Sequence, residues 1–137
     1  MTMAAWWSDY VGIPFAEHGR NRSGCDCWGL VRLVLAERFG INLPSLADGY
    51  DSTEQRTILQ RLIEGKAPVL GFAQVDLDQA QPGDVLVIRQ LGAACHVGIM
   101  VTNSLLLHTE EGKGAVIEDI HRRHLAPRIA HAWRYHV

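Results

Sequence analysis

The stretch SGCDCWGLVRLV (residues 23–34) places two cysteines one residue apart, directly before a run of apolar residues. Apolar residues continue at helical spacing as far as Phe39, and Gly40 is of the type that ends a helix. Asp26 is a residue type favoured at the N-cap position. The pattern predicts a helix that begins near Cys27 and carries a thiol in its first turn.

Length and composition limit the remaining choices. A chain of 137 residues is long enough for one domain with a core, so we predict a single domain over 1–137. A net charge of −2 gives no electrostatic argument for a nucleic-acid partner. The chain contains no apolar run long enough to predict a membrane span. Residues 1–15 lack the features of a secretion signal, which predicts synthesis in the cytoplasm without a signal peptide.

The chain divides into a helical half and a strand half. Residues 4–15 predict a short helix, 17–24 a loop, and about 53–64 a second helix, with Ser52 and Gln55 as a capping box. Six later segments are short, rich in β-branched or aromatic residues, and separated by turn signals: 69–75, 84–89, 95–101, 104–109, 115–120 and 130–137. Helices followed by strands predict an α+β fold, in which helices cover an antiparallel sheet.

A histidine opens one of these predicted strands. Because side chains alternate along a strand, His96 and Gly98 share one face while Val97 and Ile99 share the other. Val97 and Ile99 can therefore face the core. Gly98 leaves space beside the imidazole of His96.

A second histidine follows on the next predicted strand. A tight turn at residues 102–103 places His96 opposite Thr109, with His108 beside the first imidazole. A polar group there can hold a catalytic base in its useful tautomer. Papain-like catalysis uses a cysteine at a helix N-terminus, deprotonated by a histidine and favoured as thiolate by the helix dipole. Cys27 and the two histidines are therefore candidate catalytic residues.

A zinc site is the chemical alternative, because Cys25, Cys27, Cys95, His96 and His108 are all suitable ligands. Its spacing is unusual, since structural zinc sites separate paired cysteines by about two to four residues. Cys95 and His96 should also point to opposite faces of one strand. The plainer interpretation makes Cys95 a small core residue and Cys25 a loop thiol, with no disulfide between them in a reducing compartment.

Four segments resemble successive blocks of the NlpC-type cysteine peptidases, which are papain-like peptidoglycan endopeptidases. They are YVGIPFAEHGRNRSGCDCWGLV (10–31), QPGDVLVI (81–88), HVGIMV (96–101) and LLLHT (105–109). The resemblance implies a papain-like α+β fold, with Cys27 as nucleophile, His96 as general base and His108 as the orienting third residue. It also implies hydrolysis of an amide in cell-wall stem peptides, commonly the γ-D-glutamyl to diamino-acid bond, with no metal and no cofactor.

The resemblance also implies the substrate-binding residues Asp26, Phe15 and Trp28. Two of these depart from the usual pattern, because many members have a tyrosine in place of Phe15 and a serine in place of Trp28. The oxyanion would be held by the backbone N–H of Cys27 and one further donor, for which Arg20 and Asn21 are candidates.

The aromatic residue after the cysteine and the segment AHAWRYHV (130–137) resemble the subgroup associated with bacteriophage and prophage tails. This likeness implies tail-tip proteins as partners, and a virion-associated or wall-delivered location. Two further hypotheses stay open. One is a structural tail protein with the same fold and no catalysis; the other is an antibacterial effector amidase or an acyl-transfer enzyme that uses the same thiol.

Overall fold

The computed structural model describes residues 5–136. A small hairpin of β1 (Arg20–Asn21) and β2 (Gly24–Cys25) precedes two helices, α1 (Cys27–Phe39) and α2 (Arg56–Val69). The remaining strands are β3 (Phe72–Val75), β4 (Val85–Gln90), β5 (Ala93–Met100), β6 (Leu105–Glu110), β7 (Gly114–Asp119) and β8 (Ile129–Tyr135). They form one antiparallel sheet in the order β3-β8-β4-β5-β6-β7. The predicted α+β architecture is confirmed.

Helix α1 starts and ends as its sequence predicts. Asp26 is the N-cap, and its side chain accepts a hydrogen bond from the backbone N–H of Gly29 at 2.9 Å. Gly40 ends the helix in the left-handed conformation, at φ 68°. The buried face of the helix consists of Leu30, Val31, Val34 and Leu35. Burying each of these side chains contributes roughly 1.5–3 kcal/mol, which fixes the helix against the sheet.

Helix α2 differs from its prediction at both ends. The capping box does not form, because the side chain of Gln55 accepts from the backbone N–H of Asp51 and not from that of Ser52. The helix therefore begins at Arg56. It continues to Val69, so the strand predicted at 69–75 is shortened to β3.

The N-terminal segment also differs from its prediction. A 3₁₀ turn at Trp6–Tyr10 stands where the sequence predicted a longer helix over 4–15, of which residue 4 lies outside the described residues. The predicted loop over 17–24 contains β1 and most of the small hairpin. Within residues 5–136, no helix is both long and apolar enough to cross a membrane.

The large sheet has a core on each face. Helices α1 and α2 both pack against β5, and the cluster that includes Leu30, Val97 and Ile99 is the larger core. The opposite face is covered by Ile120 and Leu125, from the segment between β7 and β8. The first core brings the N-terminus of α1 to the sheet.

Candidate active site

The thiol of Cys27 lies at the first residue of α1 and is nearly buried, with 8% of the residue exposed. Burial, and after it the charge of Asp26, raises the pKa of Cys27 to about 12, although the backbone N–H groups of Val97 and Trp28 oppose the rise. The structure therefore favours a neutral thiol. This differs from the thiolate expected from the sequence, because desolvation outweighs the helix terminus.

His96 lies on β5 at a β-bulge. Ile88 pairs with His96 while the next residue, Arg89, pairs with Ala94, so Cys95 is the extra residue on the bulged strand. Bulges re-aim side chains and are common beside active sites. The simple alternation predicted for this strand is interrupted there, and both Cys95 and His96 line one cleft.

His96 and His108 form a buried, hydrogen-bonded pair of imidazoles. Nε2 of His96 lies 2.8 Å from Nδ1 of His108, and each residue is 3% exposed. Burial, followed by electrostatic interaction with His108 and Arg128, lowers the pKa of His96 to about 3. Burial also lowers the pKa of His108, against the opposing effect of Glu118. Both rings are therefore neutral near pH 7, and among the described residues Nδ1 of His96 has no hydrogen-bond partner.

The hairpin that joins the two histidines has a register one residue away from the predicted one. Ile99 pairs with Leu107, and this ladder, continued, brings Gly98 level with His108. A Cβ atom at Gly98 would lie 3.0 Å from the Cβ atom of His108. The glycine therefore makes room for His108, and His96 meets its partner diagonally across the ladder.

A carboxylate that the sequence analysis did not identify extends the pair. Oε2 of Glu118 on β7 lies 3.0 Å from Nε2 of His108, and Oε1 lies 3.2 Å from Nε2 of the exposed His124. Burial opposes ionisation of Glu118, but hydrogen bonds from His124 and His108 hold its pKa below the ordinary value. Alternation within the segment AVIEDI could have indicated it, because Val116, which pairs with His108, shares a face with Glu118.

The thiol and the imidazole border the same cleft of about 430 Å³. No hydrogen bond joins Sγ of Cys27 to His96 within residues 5–136, so the two groups share the cleft without a direct bond. The cleft is lined by Phe15, Cys27, Thr53, Glu54, Arg56, Leu59, Gln90, Leu91, Cys95, His96, Thr109, Glu110, Glu111 and Arg128. Nε of Arg56 is buried and has no hydrogen-bond partner in the described part of the chain.

Asp26, predicted to contact substrate, is completely buried. Oδ1 accepts from the backbone N–H of Gly29 at 2.9 Å and from Arg20 at 2.7 Å. Oδ2 accepts from the backbone N–H of His18 at 3.1 Å and from the hydroxyl of Tyr50. Each carboxylate oxygen thus has two protein donors. In this structure Asp26 is a helix cap and ion-pair partner with no surface open to a substrate.

The two candidate oxyanion donors are also engaged elsewhere. The guanidinium of Arg20 donates to Asp26, to the hydroxyl of Tyr50 and to Ser45. The side-chain oxygen of Asn21 accepts from the backbone N–H of Ser23. Neither residue lines the cleft, because both belong to the small hairpin.

Phe15 and Trp28 lie on different sides of the thiol. Phe15 lines the cleft, and its backbone forms an isolated bridge with Cys25. Trp28 lines a separate, apolar cavity of about 70 Å³ between the helices and the sheet, and its Nε1 donates to the carbonyl of Pro44 at 3.2 Å. Cys27 borders both cavities. The structure therefore brings only Phe15 of this pair into the cleft that holds the imidazole.

The ligand set expected for a zinc site does not come together. All three cysteines are free thiols. Cys25 is a buried strand residue, not the predicted loop thiol, and it donates to the carbonyl of Asn21 at 3.1 Å. Among the described residues the group with metal-ligand spacing is His96, His108 and Glu110, whose ligand atoms lie within 4.8 Å of one another. In this group, Nε2 of His96 and Nδ1 of His108 already share a hydrogen bond.

Taken together, these features define a class of protein. An α+β domain has a buried thiol at the start of a helix, and a hydrogen-bonded imidazole pair on the adjoining sheet borders the same cleft. This is a papain-like thiol–imidazole site.

Comparisons with known proteins identify the family within that class. The NlpC/P60 family matches residues 12–134, and the chain belongs to this family. It is 31% identical to the "Probable endopeptidase NlpC" of Escherichia coli (strain K12) over 108 residues, which are 77% of this chain and 58% of that protein. It is 24% identical to the "Murein DD-endopeptidase MepS/Murein LD-carboxypeptidase" of the same strain over 128 residues, 93% of this chain and 58% of that protein.

Solved structures show the same fold. The NlpC/p60 domain of the peptidoglycan hydrolase SagA aligns with a TM-score of 0.58 at 22% identity, covering 91% of this chain and 89% of that one. An NlpC/P60 family protein from Bacillus cereus ATCC 10987 aligns with a TM-score of 0.65 at 20% identity, covering 93% and 37%. The chain spans about 58% of the length of the two Escherichia coli relatives.

Proposed function

We propose that this chain is a cysteine endopeptidase that hydrolyses amide bonds in the stem peptides of bacterial peptidoglycan. The observation that carries the proposal is the neutral imidazole of His96, whose Nδ1 is unbonded and which shares a cleft with the thiol of Cys27. Family membership supports the substrate class, because relatives of this chain are named as murein and probable endopeptidases.

The proposed reaction proceeds through an acyl-enzyme. Cys27 gives its proton to Nδ1 of His96 as the sulfur attacks the amide carbonyl carbon, and the backbone N–H of Cys27 supports the oxyanion. The C–N bond breaks as His96 returns the proton to the leaving amine. The same nitrogen then deprotonates a water that cleaves the thioester and restores the thiol. His108 orients His96 throughout.

The scissile bond that we propose is the γ-D-glutamyl to diamino-acid amide. Such a bond leaves a free α-carboxylate close to the reacting carbonyl. Arg56 supports this choice, because this cationic residue lines the cleft. A substrate carboxylate would accept a charge-assisted hydrogen bond from its guanidinium.

Three matched cysteine variants test the proposal. Cys27→Ala should abolish turnover of purified muropeptides, measured by liquid chromatography and mass spectrometry, while the domain stays folded. Cys25→Ala and Cys95→Ala remove a thiol of the same kind and should leave most of the activity. Equal loss in all three would contradict the assigned roles. The product masses identify the bond, and cleavage elsewhere in the stem would overturn only the choice of bond.

Two histidine variants test the order of roles. His96→Ala should lower kcat more than His108→Ala, because water can replace part of an orienting group but not the base. The reverse order would contradict the roles as assigned.

We further propose that the domain reaches the wall through a phage or prophage tail, after synthesis in the cytoplasm. The aromatic Trp28 after the nucleophile and the segment AHAWRYHV (130–137) support this proposal. Co-purification with tail-tip proteins from induced particles would support it, whereas an adjoining immunity gene would favour the effector hypothesis.

A further inference from the structure

The hydrogen-bond chain that begins at His96 does not stop at His108. It runs from Nε2 of His96 to Nδ1 of His108 at 2.8 Å, and from Nε2 of His108 to Oε2 of Glu118 at 3.0 Å. It ends at the surface, where His124 meets the second oxygen of Glu118 at 3.2 Å. Three strands, β5, β6 and β7, thus contribute one member each before the exposed end.

The carboxylate at one end of this series of hydrogen bonds determines which nitrogen of His96, at the other end, carries the proton. An ionised carboxylate only accepts, so Nε2 of His108 must carry the proton that points at Glu118. A neutral imidazole carries one N–H, which leaves Nδ1 of His108 as an acceptor. Nε2 of His96 must then donate to it. Nδ1 of His96 is consequently a lone pair, as the proton acceptor for Cys27 has to be.

The opposite arrangement would disable the same geometry. If Nδ1 of His108 carried the proton, it would donate to Nε2 of His96, and the proton of His96 would sit on Nδ1. No lone pair would then be available to the thiol, although every distance could remain unchanged. A heavy-atom distance between two imidazoles cannot choose between these arrangements, so the choice falls to the group beyond His108.

We propose that Glu118 is a positioning residue that fixes the tautomers of both imidazoles and so presents the free lone pair of His96 to the thiol. The inference rests on the proposed function, in which His96 takes the proton of Cys27. Glu118 does not line the cleft and touches no reacting atom. Its second oxygen is held by His124, which keeps the carboxylate aimed at His108.

A nearby carboxylate provides the control. Glu110 has an oxygen within 4.8 Å of one ring nitrogen of each histidine, yet it is hydrogen-bonded to neither. It lies instead 3.5 Å from Nε2 of Gln90 and 4.0 Å from the guanidinium of Arg128. Replacing Glu110 therefore changes the local charge without changing the group that receives the proton of His108.

The experiment is nitrogen-15 NMR of the histidine rings in the full chain near pH 7, where long-range proton–nitrogen correlations identify each tautomer. The unmodified chain should show Nε2–H on both His96 and His108. Glu118→Gln offers an amide that can donate to Nε2 of His108, so its spectrum should shift towards Nδ1–H. Glu110→Gln should leave the tautomer of His108 unchanged.

Kinetics provide the second readout. Glu118→Gln should lower kcat about 10- to 100-fold, by analogy with the loss of a carboxylate that orients a metal-binding histidine, with KM unchanged. Glu118→Asp keeps an acceptor-only carboxylate and should keep the Nε2–H tautomer, with kcat closer to the original. A merely structural role would lower stability without moving the tautomer.

Two outcomes overturn the inference. One is an NMR spectrum that shows Nδ1–H on His96 in the unmodified chain. This measurement requires neither a variant nor an activity assay. The other is a Glu118→Gln chain whose tautomers and kcat are both unchanged. Failure of the proposed function appears differently, as absence of muropeptide turnover in a chain whose tautomers are as expected.

Discussion

Asparagine at position 26 separates a structural role for Asp26 from a role in binding substrate. The side chain keeps its size, but an amide group replaces one of the two carboxylate oxygens. Each oxygen has two donors, so at least two of the four donors (Gly29, Arg20, His18 and Tyr50) lose their acceptor. The guanidinium of Arg20 also loses its counter-ion, in a place where its side chain is 13% exposed and that of Asp26 is fully buried.

The size of the effect follows from this burial. Removing one partner of a buried ion pair costs about 3–5 kcal/mol, because the other charge stays buried and unpaired. We therefore expect Asp26→Asn to lower the free energy of unfolding by about 3–5 kcal/mol. With a urea m-value of about 2 kcal/mol/M for a domain of this size, the midpoint should fall by about 2 M. Activity per folded molecule should show an unchanged KM.

Urea titration followed by tryptophan fluorescence measures the loss, and muropeptide kinetics below the transition measure KM. Asp78→Asn is the matched control, because Asp78 is an exposed aspartate and its change should stay within about 0.5 kcal/mol. A loss below 1 kcal/mol at position 26, together with a rise of tenfold or more in KM, would refute the structural role and place the carboxylate against the substrate.

Three further perturbations address the imidazole pair and the cleft. Gly98→Ala places a Cβ atom 3.0 Å from that of His108, so it should destabilise the domain by about 1–3 kcal/mol and lower kcat, whereas Gly65→Ala, with open space around it, should do neither. The pKa of His96 is about 3 in the folded chain and 6.5 in the unfolded chain, so between these pH values only the unfolded chain binds the proton. The stability that depends on the neutral ring is therefore complete above pH 6.5. It is lost as the pH falls towards 3, by about 1.4 kcal/mol per pH unit. Urea midpoints at pH 7, 6 and 5 should therefore fall more steeply in the unmodified chain than in His96→Gln, and parallel slopes would contradict the buried neutral ring. Arg56→Gln should raise KM about tenfold with little change in kcat, as expected for the loss of one charge-assisted hydrogen bond. Arg61, an exposed arginine of α2, provides the control. An equal rise of KM in Arg61→Gln would show a general charge effect instead.

Local signals predicted the parts of the fold that local interactions determine. Helix α1 could be predicted from the capping aspartate, the spacing of its apolar face and the terminal glycine, since each acts within a few residues. The start of α2 could not, because Gln55 had two backbone donors within reach and its bond to Asp51 depends on the path of the preceding loop. The likeness of the segments around Cys27 and His96 to the family motif predicted two residues that the structure brings to one cleft.

The geometry of the site depended on interactions that sequence periodicity does not encode. The bulge at Cys95 breaks the alternation of β5, and nothing in the residue pattern marks an extra residue there. The predicted β5–β6 register was wrong by one residue, because register depends on the geometry of the turn, which the residue pattern does not encode. Glu118 lies on a third strand, so identifying it required the order of three neighbouring strands as well as the phase of each.

The neutral state of the site changes what catalysis requires of the protein. Burial raises the pKa of Cys27 to about 12 and lowers that of His96 to about 3, so each ion is unfavourable when it forms alone. Proton transfer from the thiol to the imidazole forms both ions at once in the same cleft, where the burial of both groups strengthens their attraction. In the proposed reaction, the transfer therefore accompanies the attack on the carbonyl and does not precede it. A resting thiolate could react whatever the tautomer of the histidine, but a resting thiol can react only if the nitrogen that receives its proton carries a free lone pair. This dependence makes the carboxylate of Glu118, remote from the substrate, a condition for the chemistry.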